Sequence, residues 1–337
     1  MKSFYSCNLF ALDKTDGTFV STQEELNFNK QNDSKLHFSK ITVEYKIAME
    51  LSNLKEGKDT IIIPTRNGKD ILNHVLKKMT SFDLQNKYNI ILIDDRSKED
   101  IKSISKKYHT SYIRVDNDRG FNFSMLNNIG FYACRNKNIK NVIMWNNDVW
   151  PDNPDTLDAL IHLHNKNSCT ISGTKLLYPK EKIENVEFTE NIKHYFPHKF
   201  FSFKDKVQFG NGDYVFMGNN YVPHHIKRFS NKNSNFVNYN GPSRFITGAF
   251  QIIDLNWVLS CGGLNPSLPE NFQDCDLCLR ALEEDKKVFY FGKDLFLYHA
   301  ESVTLLEIKK QQKFSKDSLL FNKIWDTNRK YKIFFGE

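Results

Sequence analysis

The sequence predicts an α/β protein with an open, doubly wound, mostly parallel central sheet. Two observations lead to this fold class. Short apolar runs recur between residues 60 and 145, and amphipathic segments with helical spacing separate them. Such alternation is typical of strands that are joined by crossover helices. The second observation is that 337 residues with 40% hydrophobic content suffice to bury the core of a sheet of this kind.

Each element of the repeat can be justified in order. The run "TIIIP" (60–64) is the first strand, and the segment that follows has apolar residues at helical spacing up to Met79, with Asp70 as the expected N-cap. The remaining strands and helices are predicted at 89–95, 98–108, 111–115, 122–135 and 141–145.

Outside the repeat the pattern is less regular. Residues 1–57 form an N-terminal extension of unassigned role, with a helix expected over 42–54. Residues 180–242 lack a clean period and are interpreted as an insertion, a substrate-facing excursion or a lid. A strand is predicted over 244–254, a helix from near Asp274, and a basic helical segment over 304–337.

Charge and composition narrow the class of partner. The net charge of +7 and the pI near 8.9 favour anionic partners: a nucleotide, a phosphorylated lipid or an anionic membrane face. No helix-turn-helix, zinc-finger or RNA-recognition pattern accompanies the scattered lysines, which argues against nucleic acid. The apolar runs are far shorter than the roughly 20 residues of a membrane-spanning helix. We therefore expect a cytoplasmic protein, with peripheral contact to the inner membrane face as a further option.

Three predicted strands end in conspicuous polar residues. These ends read "PTRNG", "DDRS" and "NND". In an open α/β sheet ligands bind beyond the carboxyl ends of the strands, so the three tips together indicate a site, although Asn and Asp also begin ordinary turns. No glycine-rich phosphate loop is present, so a bound diphosphate would need a metal held by a carboxylate as its counter-charge.

Three positions are candidate metal ligands or catalytic groups: Asp148 at a strand tip, Asp274 at a helix start and His299 at another strand end. Aspartate oxygen and imidazole nitrogen together suit manganese or a similar divalent ion. Each position also has an ordinary structural explanation. Asp274 could be an N-cap worth about 1 kcal/mol, and a lone histidine is commonly packed in the core.

The motifs, taken in order, resemble a known family. "PTRNG", "IDDRS", "FNFSMLNNIG", "WNNDVWP", "GTKLLYP", "ITGAF", "GGL", "FQDCDLCLR" and "YHAES" resemble the family 2 glycosyltransferases of the GT-A fold, especially the rhamnosyltransferase-like branch that builds bacterial surface polysaccharides. The resemblance covers about residues 58–303. It implies a GT-A domain there, with a nucleotide-binding half over 58–150 and an acceptor half over 151–303.

The resemblance also implies roles for particular residues. "NND" is similar to the family's Asp-x-Asp motif, so Asp148 would hold Mn²⁺ or Mg²⁺ with Asn146 in the place of the first acid. "QDCD" is similar to the motif of inverting members that carries the general base, here Asp274, and His299 matches the histidine that completes the metal site. The cofactor-binding residues implied for the donor are Thr65, Arg66, Asp94, Asp95, Asn146, Asn147 and Asp148.

The sequence departs from the family pattern at several positions. Gln273 stands where the family has Glu, Asn146 replaces an acid, and Asn265 follows "GGL" in place of an acid. We expect an inverting transferase that moves a sugar from a dTDP- or UDP-linked donor to a glycan or lipid-linked acceptor in polysaccharide or lipopolysaccharide assembly. A sugar-1-phosphate nucleotidyltransferase and a catalytically inactive nucleotide- or glycan-binding protein are the alternatives.

Overall fold

The computed structural model describes residues 16–27, 37–180, 204–217, 220–300 and 307–325. The parts of the predicted N-terminal extension, of the 180–242 insertion and of the C-terminal segment that fall between or beyond these ranges lie outside the described residues. The strands are β1 Asp16–Asn27, β2 His37–Glu50, β3 Thr60–Thr65, β4 Asn89–Asp95, β5 Ser111–Asp116, β6 Asn141–Trp145, β7 Val149–Pro151, β8 Ile171–Leu177, β9 Val207–Phe209, β10 Gly212–Met217, β11 Asn220–His225, β12 Asn240–Pro242, β13 Phe250–Asp254 and β14 Val288–His299. The helices are α1 Lys69–Ser81, α2 Leu84–Lys87, α3 Ile101–Lys107, α4 Phe123–Cys134, α5 Thr156–Lys166, α6 Leu255–Ser260, α7 Gln273–Glu283 and α8 Glu307–Trp325.

The predicted strand-helix repeat is confirmed from β3 to β6. These strands lie side by side in the order β5-β4-β3-β6, and all three pairings are parallel. Every residue of β3, β4 and β6 is buried. Continuous burial explains why these strands read as unbroken apolar runs, because a strand covered on both faces has no solvent-facing alternation.

The sheet becomes mixed beyond β6. Its order continues β6-β13-β8-β14-β12, with β13 antiparallel to both of its neighbours and β14 parallel to β8. The strand predicted over 244–254 begins only at Phe250, because residues 247–249 form a turn in which the Phe250 amide bonds the Thr247 carbonyl at 3.2 Å. This turn lies at the rim where the predicted site residues gather.

The prediction of a helix over residues 42–54 is wrong. Residues 37–50 are β2, which pairs antiparallel with β1 on one side and with β5 on the other, so the N-terminal hairpin extends the main sheet. Val43, Tyr45 and Ile47 are buried while the residues between them are exposed. That period of two, with β-branched and aromatic residues inside, is typical of a strand with one solvent face.

The starts of two helices differ from the sequence-based expectation. Gly68, with φ 73°, precedes α1, so Asp70 lies inside the first turn and is not the N-cap. Asp274 likewise lies inside the first turn of α7, whose N-cap is Phe272 with φ 64°. A left-handed backbone costs a non-glycine residue about 1–2 kcal/mol. The ring of Phe272 stacks on Phe321 of α8 at 5.2 Å, which anchors this strained residue in the core.

Candidate active site

The tip of β6 is a tight turn that carries Asn146, Asn147 and Asp148. The Asn146 amide donates to the Ala249 carbonyl at 3.0 Å, and the Val149 amide donates to the Asn146 carbonyl at 3.2 Å. The Trp145 indole N–H closes the turn by donating to the Val149 carbonyl at 2.7 Å. The buried strand therefore ends in a fixed loop that holds its polar side chains at the rim of the sheet.

Strand pairing brings His299 to Asp148. β14 runs antiparallel to β7, with His299 opposite Val149, and the Ala300 amide donates to the Asp148 carbonyl at 3.0 Å. The His299 Nε2 atom lies 3.3 Å from Asp148 Oδ1, and the two residues are 6% and 7% exposed. Two residues that are 151 positions apart in sequence thus form one buried pair.

Gln208 is a site residue that the sequence reading missed. It lies on β9, is buried, and its Oε1 atom is 3.3 Å from His299 Nδ1. Because an amide oxygen only accepts hydrogen bonds, Nδ1 carries the proton in this contact, and neutral His299 then presents a lone pair at Nε2. The segment around Gln208 has no clear periodicity, so only the pairing of β9 with β8 could have revealed its place.

The donor set at this turn fits a divalent metal. Asp148 Oδ1 and Asn146 Oδ1 are buried without a hydrogen-bond partner in the described structure, and the 3.3 Å approach of His299 lacks hydrogen-bond geometry. Buried oxygens without partners are costly in a folded protein unless a ligand completes them. Within the described ranges no cluster of three His, Cys, Asp or Glu side chains could hold a metal alone. The chain therefore offers Asp148 and His299, with Asn146 beside them, and leaves coordination positions for a substrate.

Asp274 is attached to the turn that supports the β6 tip. Its Oδ2 accepts from the Gly248 amide at 2.7 Å and its Oδ1 from the Cys275 amide at 2.8 Å. Ala249, the residue after Gly248, accepts the hydrogen bond of Asn146. Burial raises the pKa of Asp274 above the ordinary carboxyl value, and these hydrogen bonds only partly offset that effect. The partly buried carboxyl group is thus placed and tuned as a general base would need to be.

Gln273, the residue before Asp274, is buried, and its Oε1 atom has no hydrogen-bond partner among the described residues. A family acid at this position would bury a second charge beside Asp274. The glutamine avoids that repulsion and leaves a neutral acceptor at the start of α7.

The two aspartates at the tip of β4, Asp94 and Asp95, have different hydrogen-bond partners. Asp94 is buried and accepts from Ser97 N at 2.9 Å, from the Tyr112 hydroxyl at 2.7 Å and from Arg114 at 2.9 Å. These bonds engage both carboxylate oxygens within the protein, and the contact of Asp94 with the donor stays a prediction.

Asp95 contacts two arginines and keeps one carboxylate oxygen without a hydrogen bond in the described structure. Its Oδ1 is 3.0 Å from Arg96 Nε, while its Oδ2 lacks a hydrogen bond and lies 3.5 Å from the half-exposed Arg66. Burial raises the pKa of Asp95, and the two arginines act in the opposite direction. Asp95 and Arg66 therefore form a pair at the part of the rim that is predicted to bind the donor, here called the donor side.

The donor side touches the β6 tip with Asp148 and His299, here called the metal side after the predicted role of these residues, at one point. The Asn147 amide donates to the Thr65 hydroxyl at 3.0 Å, which joins the tips of β6 and β3. The structure thus brings Asp148 to His299, Asn147 to Thr65 and Arg66 to Asp95, and it links Asp274 to the β6 tip through residues 248–249. Among the predicted site residues, Asp94 is directed into the protein.

The sequence comparison decides the family. The profile described as "Glycosyl transferase family 2" matches residues 60–230, which is just over half of the 337-residue chain. The chain belongs to glycosyl transferase family 2. Membership and the observed α/β sheet confirm the predicted fold class, and they make the protein a glycosyltransferase. No curated protein sequence matches this family 2 chain.

Several solved glycosyltransferases are similar in structure. The mannosyltransferase PcManGT from Pyrobaculum calidifontis, in complex with GDP-Man and Mn²⁺, is 10% identical, with a TM-score of 0.49 over 80% of this chain and 66% of that one. TarS 1–349 from S. aureus, in complex with UDP-GlcNAc, is 11% identical, with a TM-score of 0.46 over 82% of this chain and 75% of that one. The family 2 chain spans 45% of the length of TarS in another crystal structure. Among the described residues, no helix combines the length and apolar character that crossing a membrane requires.

Proposed function

We propose that this family 2 glycosyltransferase is an inverting enzyme that moves a sugar from a nucleotide-diphosphate donor to a hydroxyl of a glycan or lipid-linked acceptor. One observation carries the proposal: a single turn, residues 247–249, contacts both parts of the site. Its Ala249 carbonyl accepts from Asn146 at the β6 tip, which carries the Asp148–His299 pair, and its Gly248 amide donates to the carboxyl group of Asp274. A site for a leaving diphosphate and a base for an acceptor hydroxyl are the two parts that an inverting transfer needs.

The donor is expected to lie along the rim from Arg66 and Asp95 to Asn147. Arg66 is half exposed and carries a positive charge that suits an anionic donor, and Asp95 has one carboxylate oxygen without a hydrogen bond. Asp148 and His299 would hold Mn²⁺ or Mg²⁺, with Asn146 nearby. When bound, such an ion stabilises the negative charge that develops on the leaving diphosphate.

Asp274 performs the proton transfer in this proposal. Its carboxylate takes the proton of the acceptor hydroxyl as the acceptor oxygen attacks the anomeric carbon from the face opposite the diphosphate. The bond between the anomeric carbon and the diphosphate oxygen breaks with its electron pair, and the configuration inverts. No protein acid is required, in contrast to glycoside hydrolysis, because a diphosphate is a good leaving group.

The decisive experiment replaces Asp274 by asparagine. Loss of a general base costs about 10²–10⁴-fold in rate, and we expect Asp274→Asn to lose transfer to this extent. Nucleoside-diphosphate binding in the presence of Mn²⁺, measured by calorimetry, should stay within a few-fold of the wild type. A variant that retains most of its turnover would show that Asp274 is not the base.

The pH profile gives a second readout of the same residue. Because burial raises the pKa of Asp274, the rate should fall on acidification at a pH above the ordinary carboxyl range near 3.9. An acid limb at or below that range would contradict the proposed environment of the base.

The biological setting proposed here is bacterial surface polysaccharide or lipopolysaccharide assembly, at the cytoplasmic side of the inner membrane. The donor is a dTDP- or UDP-sugar, and a thermal-shift screen of nucleoside diphosphates with Mn²⁺ would identify the nucleobase of the donor. A ligand at 100 times its dissociation constant adds about 2.7 kcal/mol of stability. An inactive binding protein is the competing function that Gln273 and Asn146 favour. Slow hydrolysis of the correct donor by the purified protein would exclude it.

A further inference from the structure

A cavity of about 210 Å³ lies outside the rim just described. We name it the hairpin cavity. Its walls are residues 23–26, Ile41 and Tyr45 of the N-terminal hairpin, residues 119–122 before α4, Pro266, Ser267, Pro269 and Glu270 before α7, and Lys316, Asp317 and Leu320 of α8. Only the 119–122 wall falls within the range that the family profile matches. The cavity is therefore assembled mostly from parts that the family assignment does not explain.

Hydrogen bonds fix the walls of the hairpin cavity. The Gln23 amide donates to the Tyr45 hydroxyl at 2.7 Å, and the Glu24 backbone amide donates to Ser267 Oγ at 2.8 Å. Asn122 Nδ2 donates to the Pro266 carbonyl at 2.9 Å. The hairpin, the start of α4 and the loop before α7 are thus joined around a preformed space, as is usual for a small-molecule site.

Two wall segments of the hairpin cavity are connected to residues of the proposed active site. Arg96, which pairs with Asp95, donates to the Arg119 carbonyl at 2.7 Å and so holds the 119–122 wall. The neighbouring wall, formed by Pro266, Ser267, Pro269 and Glu270, precedes α7, which carries Asp274. A molecule in the cavity would contact both the loop next to the donor side and the loop that places the base.

The lining has the chemistry of a sugar site. Aromatic and aliphatic surfaces from Tyr45, Phe121 and Leu320 alternate with the hydrogen-bonding groups of Gln23 and Ser267. Pyranose rings present apolar C–H faces together with hydroxyl groups that both donate and accept, and a mixed wall of this kind satisfies both. The volume is below the roughly 300–1,000 Å³ of pockets for drug-sized ligands and suits a single sugar residue.

The charge of the lining selects against anions. Four carboxyl groups line the cavity, from Glu24, Glu25, Glu270 and Asp317, against the two cations Arg119 and Lys316. Two of these carboxylates are paired with cations, Glu24 with Lys323 of α8 at 2.9 Å and Glu25 with Arg119 at 3.9 Å. Burial raises the pKa of Asp317 to about 6, so this carboxyl group is mostly ionised at neutral pH. The acidic lining contrasts with the chain's net charge of +7 and disfavours a phosphate or a uronate.

We propose that the hairpin cavity binds one uncharged or amine-bearing sugar residue of the acceptor, adjacent to the residue whose hydroxyl Asp274 deprotonates. This inference rests on the proposed transfer reaction for its meaning as an acceptor subsite. The binding of sugar itself can be tested without a donor or turnover.

The experiment uses saturation-transfer NMR on the full chain with methyl glycosides of glucose, galactose, mannose and N-acetylglucosamine, and with methyl glucuronide as the anionic counterpart. Gly120 supplies the blocking variant, because a Cβ built on it meets nothing within 4 Å and its φ is not in the left-handed region. Gly120→Leu therefore adds a bulky side chain to the cavity lining without backbone strain. Thr42→Leu, on the exposed face of β2, adds the same side chain elsewhere as the matched control.

We expect saturation transfer to at least one uncharged glycoside and none to methyl glucuronide. The signal should be lost in Gly120→Leu and kept in Thr42→Leu. Binding of none of the uncharged glycosides, or equal binding by Gly120→Leu, would overturn the assignment of the cavity.

Nucleotide binding by the wild type separates this inference from the proposed function. Glycoside binding without any nucleoside-diphosphate binding would support the cavity and overturn the transfer reaction. Nucleotide binding without glycoside binding would overturn the assignment of the cavity and leave the transfer reaction supported.

Discussion

Asp94 at the tip of β4 and Asp148 at the tip of β6 lie at the same rim of the sheet, yet they differ in how their oxygens are satisfied. Asp94 at the β4 tip receives hydrogen bonds from Ser97, Tyr112 and Arg114. Asn146 and Asp148 at the β6 tip each keep a buried oxygen without a hydrogen bond in the described structure. Polar groups with complete internal partners stabilise a fold, whereas incomplete ones reduce stability until a ligand arrives. The comparison therefore separates an aspartate whose oxygens both have internal partners from one that keeps a buried oxygen without a hydrogen bond among the described residues.

The largest effect on stability is expected at the β4 tip. Asp94→Ala leaves the Tyr112 hydroxyl and the Arg114 guanidinium without their acceptor, and it should lower the free energy of unfolding by about 3 kcal/mol. Urea denaturation followed by circular dichroism measures this change. Asp116→Ala is the matched control, because Asp116 pairs with the same arginine at 3.4 Å but is 53% exposed, and such surface pairs contribute about 0–1 kcal/mol. Equal losses in the two variants would remove the distinction between the tips.

The β6 tip should respond in the opposite way. Asp148→Asn replaces a carboxylate whose buried Oδ1 lacks a hydrogen bond among the described residues, so the free energy of unfolding should change by less than about 1 kcal/mol. Nucleoside-diphosphate binding with Mn²⁺ should weaken by about 100-fold or more, equivalent to about 2.7 kcal/mol, because a direct ligand is lost. Calorimetric titration measures the binding. Asp152→Asn, at an exposed position four residues further on, should bind like the wild type. An unchanged titration for Asp148→Asn would disprove the metal assignment.

Gln208 tests whether the β6 side is organised beyond its direct ligands. Gln208→Leu removes the acceptor for His299 Nδ1, so the imidazole can place its proton on Nε2, where a metal would otherwise bind. Loss of such an outer partner costs about 10–100-fold in metal affinity. Titration of Mn²⁺ by electron paramagnetic resonance measures this affinity, and Gln208→Glu, which keeps an acceptor, should retain more of it than Gln208→Leu. Affinities that are the same in both variants would exclude this role for Gln208.

Much of the fold and part of the site could be predicted from the sequence. The strands of the parallel half are apolar runs because they are buried on both faces, and that pattern is independent of what surrounds them. The convergence of Asp148 with His299 needed the family resemblance, since nothing local indicates that β14 pairs with β7.

Other features depend on geometry that a single sequence does not record. Asp94 and Asp95 are equivalent as letters, but adjacent residues of a strand point to opposite faces, so their carboxyl groups meet different partners. The β2 strand was misread as a helix, although its alternation over Val43, Tyr45 and Ile47 was visible. Gln208 and the hairpin cavity depend on contacts between segments far apart in the chain, for which no spacing rule exists.

The smallest expected effect lies at the contact between Thr65 and Asn147, where the donor side meets the metal side. Thr65→Val removes the hydroxyl that accepts from Asn147 Nδ2 at 3.0 Å while it preserves the shape of the side chain, so the cost should be about 1 kcal/mol, or about fivefold in nucleotide affinity. Asn147→Ala should cost a similar amount. If the contact couples the two sides, the double variant should lose less than the sum of the single losses, by about 0.5–1 kcal/mol, in a double-mutant cycle on nucleotide binding. Strict additivity would show instead that the two tips bind their parts of the donor independently, although they touch.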